Sequence, residues 1–272
     1  MQAYEEARIR IAAFAVVALS LSLLCPSARA LDPSLDVSQY AHTAWQVREG
    51  FTQGYIRSIA QTADGYIWLG TGFGLFRFDG VRVEPWQPPL NGEPLPSNFI
   101  LCLHVARDGT FWVGTRGGLA SWRDGKLTRY PDLAGLIVGS ILEDRSGTVW
   151  AGSYSLAPPG KLCAIDGTNV HCYGSDGALG NGVNALYEDS HDVLWVVGRD
   201  GIWRWRPGPP RFFHMPFGTS SVQDLGEVGD GTLLIPLPGR LARFGGGKLE
   251  TQDAYPAPAH NIACLLYTSR CV

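Results

Sequence analysis

From residue 56 onward, short apolar runs alternate with tight polar breaks, and the whole pattern returns roughly every forty residues. The clearest copy is Asp64-Gly-Tyr-Ile-Trp-Leu-Gly-Thr71, followed by Asp108-Gly-Thr-Phe-Trp-Val-Gly-Thr115 and Ser146-Gly-Thr-Val-Trp-Ala-Gly-Ser153. Weaker copies stand at His191-Asp-Val-Leu-Trp-Val-Val-Gly198 and Asp230-Gly-Thr-Leu-Leu-Ile-Pro-Leu237. The anchors Trp68, Trp112, Trp150, Trp195 and Leu234 lie 44, 38, 45 and 39 residues apart. Such a period marks a chain built from one supersecondary unit per repeat.

Within the first period the pattern predicts four short strands: Ile56 to Gln61, Tyr66 to Gly70, Gly74 to Phe78 and Val81 to Trp86. The second is apolar on both faces, as a strand covered on both sides must be. Asp79-Gly80 between the last two is a hairpin signal. The fifth period divides the same way, into Val222 to Glu227, Thr232 to Leu237, Gly239 to Phe244 and Lys248 to Thr251, with Pro236 interrupting its second strand. Four antiparallel strands in about forty residues make one blade of a β-propeller. The predicted fold is therefore all-β: a β-propeller of four-stranded antiparallel blades, about five of them, in an incomplete open ring. The blades fall near residues 56–98, 99–137, 138–182, 183–221 and 222–263. A lead-in segment, 31–55, is expected to pair with a final blade.

Adjacent blades pack face to face, so each anchor Trp is expected to fill the gap between sheets, burying on the order of 150–250 Å². The Gly two residues later leaves room for the neighbouring backbone. The anchors are read as core and not as sugar-stacking platforms.

The termini change the picture. Arg8 and Arg10 precede an apolar run from Ile11 to Leu24, and Ala28-Arg-Ala30 supplies a small-x-small cleavage pattern, so residues 1–30 are expected to be an export signal. At the other end, Cys264 to Ser269 can be encoded by DNA whose reverse complement reads Arg270-Cys271-Val272 and then stop. Residues 264–272 are therefore expected to be a sequencing-adapter artefact, with the natural protein continuing past Ala263.

A net charge of −3 offers no polybasic surface for nucleic acid. The six histidines (His42, His104, His171, His191, His214 and His260) are isolated, so no metal site and no cofactor are expected. Between the two termini lie Cys102, Cys163 and Cys172. Cys163 and Cys172 would face each other across a hairpin whose loop is Asp166-Gly-Thr-Asn169, whereas a two-residue Asp166-Gly167 turn shifts the register and they miss.

The run Tyr40-Ala-His-Thr-Ala-Trp-Gln-Val-Arg-Glu-Gly50, then Ile56 and Ile59, then Asp-Gly-x-Ile-Trp-Leu-Gly-Thr and Gly-Leu-Phe-Arg-Phe-Asp-Gly, resembles the two-component regulator propeller. The resemblance spans roughly residues 36–251 and is most specific in the first three repeats. It implies the periplasmic sensor region of a bacterial membrane-bound sensor histidine kinase, dimeric at full length and touching the membrane only through a missing C-terminal part. No kinase or other catalytic segment stands in this chain; some relatives carry a diguanylate cyclase instead.

Turns between first and second strands, and between third and fourth, lie at one end of a blade. Longer loops lie at the other, where binding residues tend to sit. There Phe73, Arg116, Tyr154 and Arg199 follow the second strands at matching offsets and would suit a small molecule or oligosaccharide, anionic ones paired by Arg. Asp64, Asp79, Asp108, Asp124 and Asp144 are read as turn formers, Glu143-Asp144 and Glu188-Asp189 as strand ends, and His104 as a satisfied core residue. No catalytic residues are assigned. Two other classes stay open: a propeller lyase or lactonase-type enzyme, and a protein-docking propeller.

Overall fold

The computed structural model describes residues 54–88, 92–155, 159–167, 169–216, 218–238 and 240–253. The predicted export signal, the lead-in segment up to residue 53 and the tail 264–272 lie outside them.

The described chain forms five four-stranded antiparallel sheets. Blade 1 comprises β1 (Ile56–Gln61), β2 (Ile67–Thr71), β3 (Gly74–Phe78) and β4 (Val83–Pro85). Blade 2 comprises β5 (Ile100–Val105), β6 (Phe111–Thr115), β7 (Gly118–Arg123) and β8 (Lys126–Arg129). Blade 3 is β9 (Ile137–Glu143), β10 (Val149–Tyr154), β11 (Lys161–Asp166) and β12 (Asn169–Tyr173). Blade 4 is β13 (Ala185–Glu188), β14 (Leu194–Val197), β15 (Gly201–Arg206) and β16 (Arg211–His214). Blade 5 is β17 (Gly226–Glu227), β18 (Leu233–Leu237), β19 (Arg240–Gly245) and β20 (Lys248–Asp253). Every blade is a meander in chain order. The first strands β1, β5, β9 and β13 pack in succession, so they lie nearest the axis.

The second strands are the buried ones: every residue of β6, β14 and β18 is buried. Trp68, Trp112, Trp150 and Trp195 are all core, each at most 9% exposed. Trp68 meets Phe111 of the next blade at 4.9 Å between ring centroids, and Trp195 meets Phe244 at 5.8 Å. The glycines after them are where blades touch. A Cβ on Gly114 would stand 2.8 Å from the Val138 carbonyl oxygen, and one on Gly152 would stand 2.5 Å from Val183 Cγ1.

The structure corrects the fifth repeat. Its first strand is only Gly226–Glu227, and β18 runs straight through Pro236, which pairs with Leu241 of β19. Pro236 brings no N–H to the ladder, and pairing between β17 and β18 stops at Gly226 opposite Leu234. The interruption thus falls on the first strand. In blade 3, Asp166 pairs with Asn169, which puts Cys163 opposite Cys172 with Cα atoms 4.0 Å apart and the disulfide formed.

Candidate functional site

At the end of the blades where each first strand turns into its second, blades 3 and 4 are organised by one carboxylate. Asp144 Oδ1 accepts the backbone N–H of Ser146 at 2.9 Å and of Thr148 at 3.0 Å, and the Ser146 hydroxyl at 2.5 Å. Its Oδ2 accepts the Trp150 indole N–H at 2.7 Å. The Arg206 guanidinium of blade 4 donates to the same oxygen and lies 4.9 Å above the Trp150 ring. Asp144 is fully buried. Burial pushes its carboxyl up, but the Ser146, Trp150 and Thr148 hydrogen bonds and the Arg206 charge outweigh burial and hold it below the usual range. Asp189 repeats the device, taking the N–H of His191 and Val193 at 2.9 Å each and the Trp195 indole at 2.7 Å. In blade 1 the equivalent is Thr62, whose hydroxyl accepts Trp68 Nε1–H at 2.9 Å. Blade 2 has Ala106 there, and Trp112 Nε1–H is buried without a partner among the described residues.

Asp144 is thus more than a turn former, and Asp189 more than a strand end. Asp64, Asp79, Asp108 and Asp230 do act as turn formers, each accepting the N–H two residues on. The neighbouring glutamates join blades. Glu143 accepts the Arg107 backbone N–H at 2.8 Å and pairs with its Nε at 3.1 Å. Glu188 accepts Arg145 N–H at 2.9 Å, and Glu227 accepts Ser190 N–H at 2.8 Å and the Ser190 hydroxyl at 2.6 Å. His104 is not a satisfied core residue: its Nε2 is buried without a hydrogen bond, 3.9 Å from Glu143 Oε2. Burial holds its pKa below the ordinary 6.5, against the pull of Glu143.

Between blades 2 and 3 this end opens into a cavity of about 930 Å³, lined among others by Trp112, Ser121, Arg123, Lys126, Tyr130 and Glu143. The Trp112 and Tyr130 rings are 5.2 Å apart, and the Tyr130 hydroxyl is 3.0 Å from Ser121 Oγ. Arg123 pairs with Asp108. Lys126 has no ion-pair partner among the described residues.

The predicted loop residues fall at the other end. Phe73 stands 72% exposed between β2 and β3, Arg116 is exposed between β6 and β7, Tyr154 ends β10 half-buried, and Arg199 is exposed between β14 and β15. None of them lines the 930 Å³ cavity or a second one of about 490 Å³ along β8. Arg116 instead stacks on Phe99, centroid distance 5.6 Å, as does Arg57 of blade 1 at 4.7 Å. Sequence reasoning missed Arg57, the second residue of β1, and Phe99, just before β5, because periodicity there reports only in-or-out. It missed the cavity although its one signal, Ala106 where blades 3 and 4 have Asp, stands in plain view.

Residues 50–73 and 94–117 match the family model of the two component regulator propeller. The extracellular domain of BT4673 from B. thetaiotaomicron, described as a hybrid two component system, superposes with a TM-score of 0.61 at 16% identity, covering 77% of this chain and 32% of that one. Virginiamycin B lyase from Staphylococcus aureus gives 0.58 at 15% identity, covering 75% and 71%. An ancestral GH74 enzyme gives 0.60 at 14%, covering 79% and 33%. No curated protein matches the chain by sequence. At these identities the likeness is one of fold, and the chain spans about a third of the BT4673 domain. The architecture defines a β-propeller of four-stranded blades. Two of its repeats, those of blades 1 and 2, match the two component regulator propeller model.

Proposed function

We propose that this chain is the ligand-sensing extracytoplasmic propeller of a signal-transduction receptor whose output module, a histidine kinase, lies in a further part of the protein. The observation that supports this reading is the pair of two-component regulator propeller repeats at residues 50–73 and 94–117, on a fold shared with an extracellular domain of a two component system. The sensing surface in this reading is the loop end, where Phe73, Arg116, Tyr154 and Arg199 recur after successive second strands. The stacked trio Arg57, Phe99 and Arg116 adds two cations and an aromatic face to it. That chemistry suits a sugar or small anion.

Two measurements test it. Fusion of residues 1–263 to alkaline phosphatase, which folds only outside the cytoplasm, is expected to give active phosphatase; an inactive fusion removes the extracytoplasmic reading. Thermal unfolding against neutral and acidic glycan fragments is expected to reveal a ligand whose stabilisation follows RT ln(1 + [L]/Kd). That stabilisation should be lost in Arg116→Ala with Arg199→Ala. An enzyme reading has the fold of virginiamycin B lyase on its side, and turnover of a lactone substrate would favour it over sensing.

A further inference from the structure

Four blades carry an anchor Trp, and three of the four indoles find an acceptor within the protein: Trp68 on Thr62, Trp150 on Asp144 and Trp195 on Asp189. Trp112 does not. It is 5% exposed, its Nε1–H is buried without a partner among the described residues, and it lines the 930 Å³ cavity between blades 2 and 3. The acceptor position of blade 2 is held by Ala106, which lines the same cavity. A buried donor left without an acceptor is unfavourable and calls for one from outside.

We propose that this cavity binds a small carboxylate-bearing ligand, whose carboxylate takes the place that the Asp144 and Asp189 side chains hold in the following blades and accepts the Trp112 indole N–H. The repeats themselves indicate the chemistry: in both following blades the group at this position is a carboxylate bonded to the indole at 2.7 Å. The charge of the wall agrees. The guanidinium groups of Arg107, Arg123 and Arg145 and the ammonium of Lys126 face three carboxylates, and Lys126 is the cation without an ion-pair partner among the described residues. Tyr130, 5.2 Å from Trp112, adds an aromatic face with a hydroxyl at its rim, which suits a hydroxylated ring. The volume lies within the range of small-molecule sites, roughly 300–1,000 Å³.

The test titrates the purified protein with sodium glucuronate, and with glucose at matched ionic strength, followed by thermal unfolding and tryptophan fluorescence. Glucuronate is expected to raise the unfolding temperature saturably, and glucose is not. Ala106→Asp supplies the missing carboxylate from the protein, so it is expected to unfold at a higher temperature than the wild type without ligand and to lose the glucuronate response. Trp112→Phe removes the orphan donor; it is expected to fold and to bind glucuronate about tenfold more weakly, the loss of one hydrogen bond to a charged group. The proposal is overturned if the wild type responds equally to glucose and glucuronate or to neither. It is overturned equally by an unchanged response in Ala106→Asp, since glucuronate then does not occupy the acceptor position beside the indole. Should Ala106→Asp not fold, an unweakened Trp112→Phe overturns it.

Discussion

The Trp150 indole N–H donates to Asp144 Oδ2 at 2.7 Å, six residues back along the chain and at the opposite side of a turn, and both partners are buried. One bond therefore ties the turn to the wedge between blades. Arg206, from the third strand of blade 4, reaches the same carboxylate oxygen, so the lock also spans two sheets.

Asp144→Ala should cost about 3 kcal/mol, because it leaves the indole unpaired and strips Arg206 of its partner. Asp144→Asn, which keeps an acceptor oxygen, should cost less. The protein should still fold, since blade 2 is built with Ala106 at the same position. Urea unfolding of both variants checks this, and an Ala variant as stable as the wild type contradicts the lock.

The same carboxyl sets an acid limit. Its folded pKa lies below the ordinary 3.8, so the unfolded chain takes up its proton first as pH falls. The stabilisation is complete above the unfolded value and is lost as pH drops through the folded one. Stability measured from about pH 5 downward should fall more steeply in the wild type than in Asp144→Asn. Parallel curves would show that Asp144 contributes nothing to acid unfolding.

Gly152→Ala probes blade contact. The added Cβ would meet Ser140 Oγ at 2.3 Å and Val183 Cγ1 at 2.5 Å, an overpacking expected to cost about 2 kcal/mol. Gly147→Ala, with open space around its Cβ but φ +92°, should cost nearer 1 kcal/mol through backbone strain. Equal losses measured by denaturant melts would place the strain in the backbone and not between blades.

Replacing Cys163 and Cys172 together by Ala should lower stability by roughly 2 kcal/mol, the modest effect of a bridge closing a short loop. Reductant should lower the wild type by the same amount and leave the double variant unmoved. Cys102, whose thiol burial pushes up to about 12, should stay unalkylated in the native protein at pH 8. Its rapid labelling would show that blade 2 opens.

Much of the blade was legible along the chain. The limits of β1 and β3 follow directly from apolar runs closed by turn residues, and the burial of Trp68, Trp112, Trp150 and Trp195 follows from their recurrence. Cys163 opposite Cys172 stayed open until the pairing of Asp166 with Asn169 chose one hairpin register over the other. The binding surfaces were less legible: the loop positions of Phe73, Arg116, Tyr154 and Arg199 could be counted off, but the Phe99 stack beside Arg116 could not.

By itself the sequence determined the period, the strand order within each blade and the buried anchors, because alternation and turn chemistry act between residues a few positions apart. Tertiary structure alone decided which polar groups meet: Arg206 on Asp144, Arg107 on Glu143, and Trp112 on nothing. The two ion pairs join residues 36 and 62 positions apart, brought within hydrogen-bond reach only by the angle at which neighbouring sheets pack. Trp112 shows the converse, since only the placed side chains reveal that no described residue supplies its buried indole N–H with an acceptor.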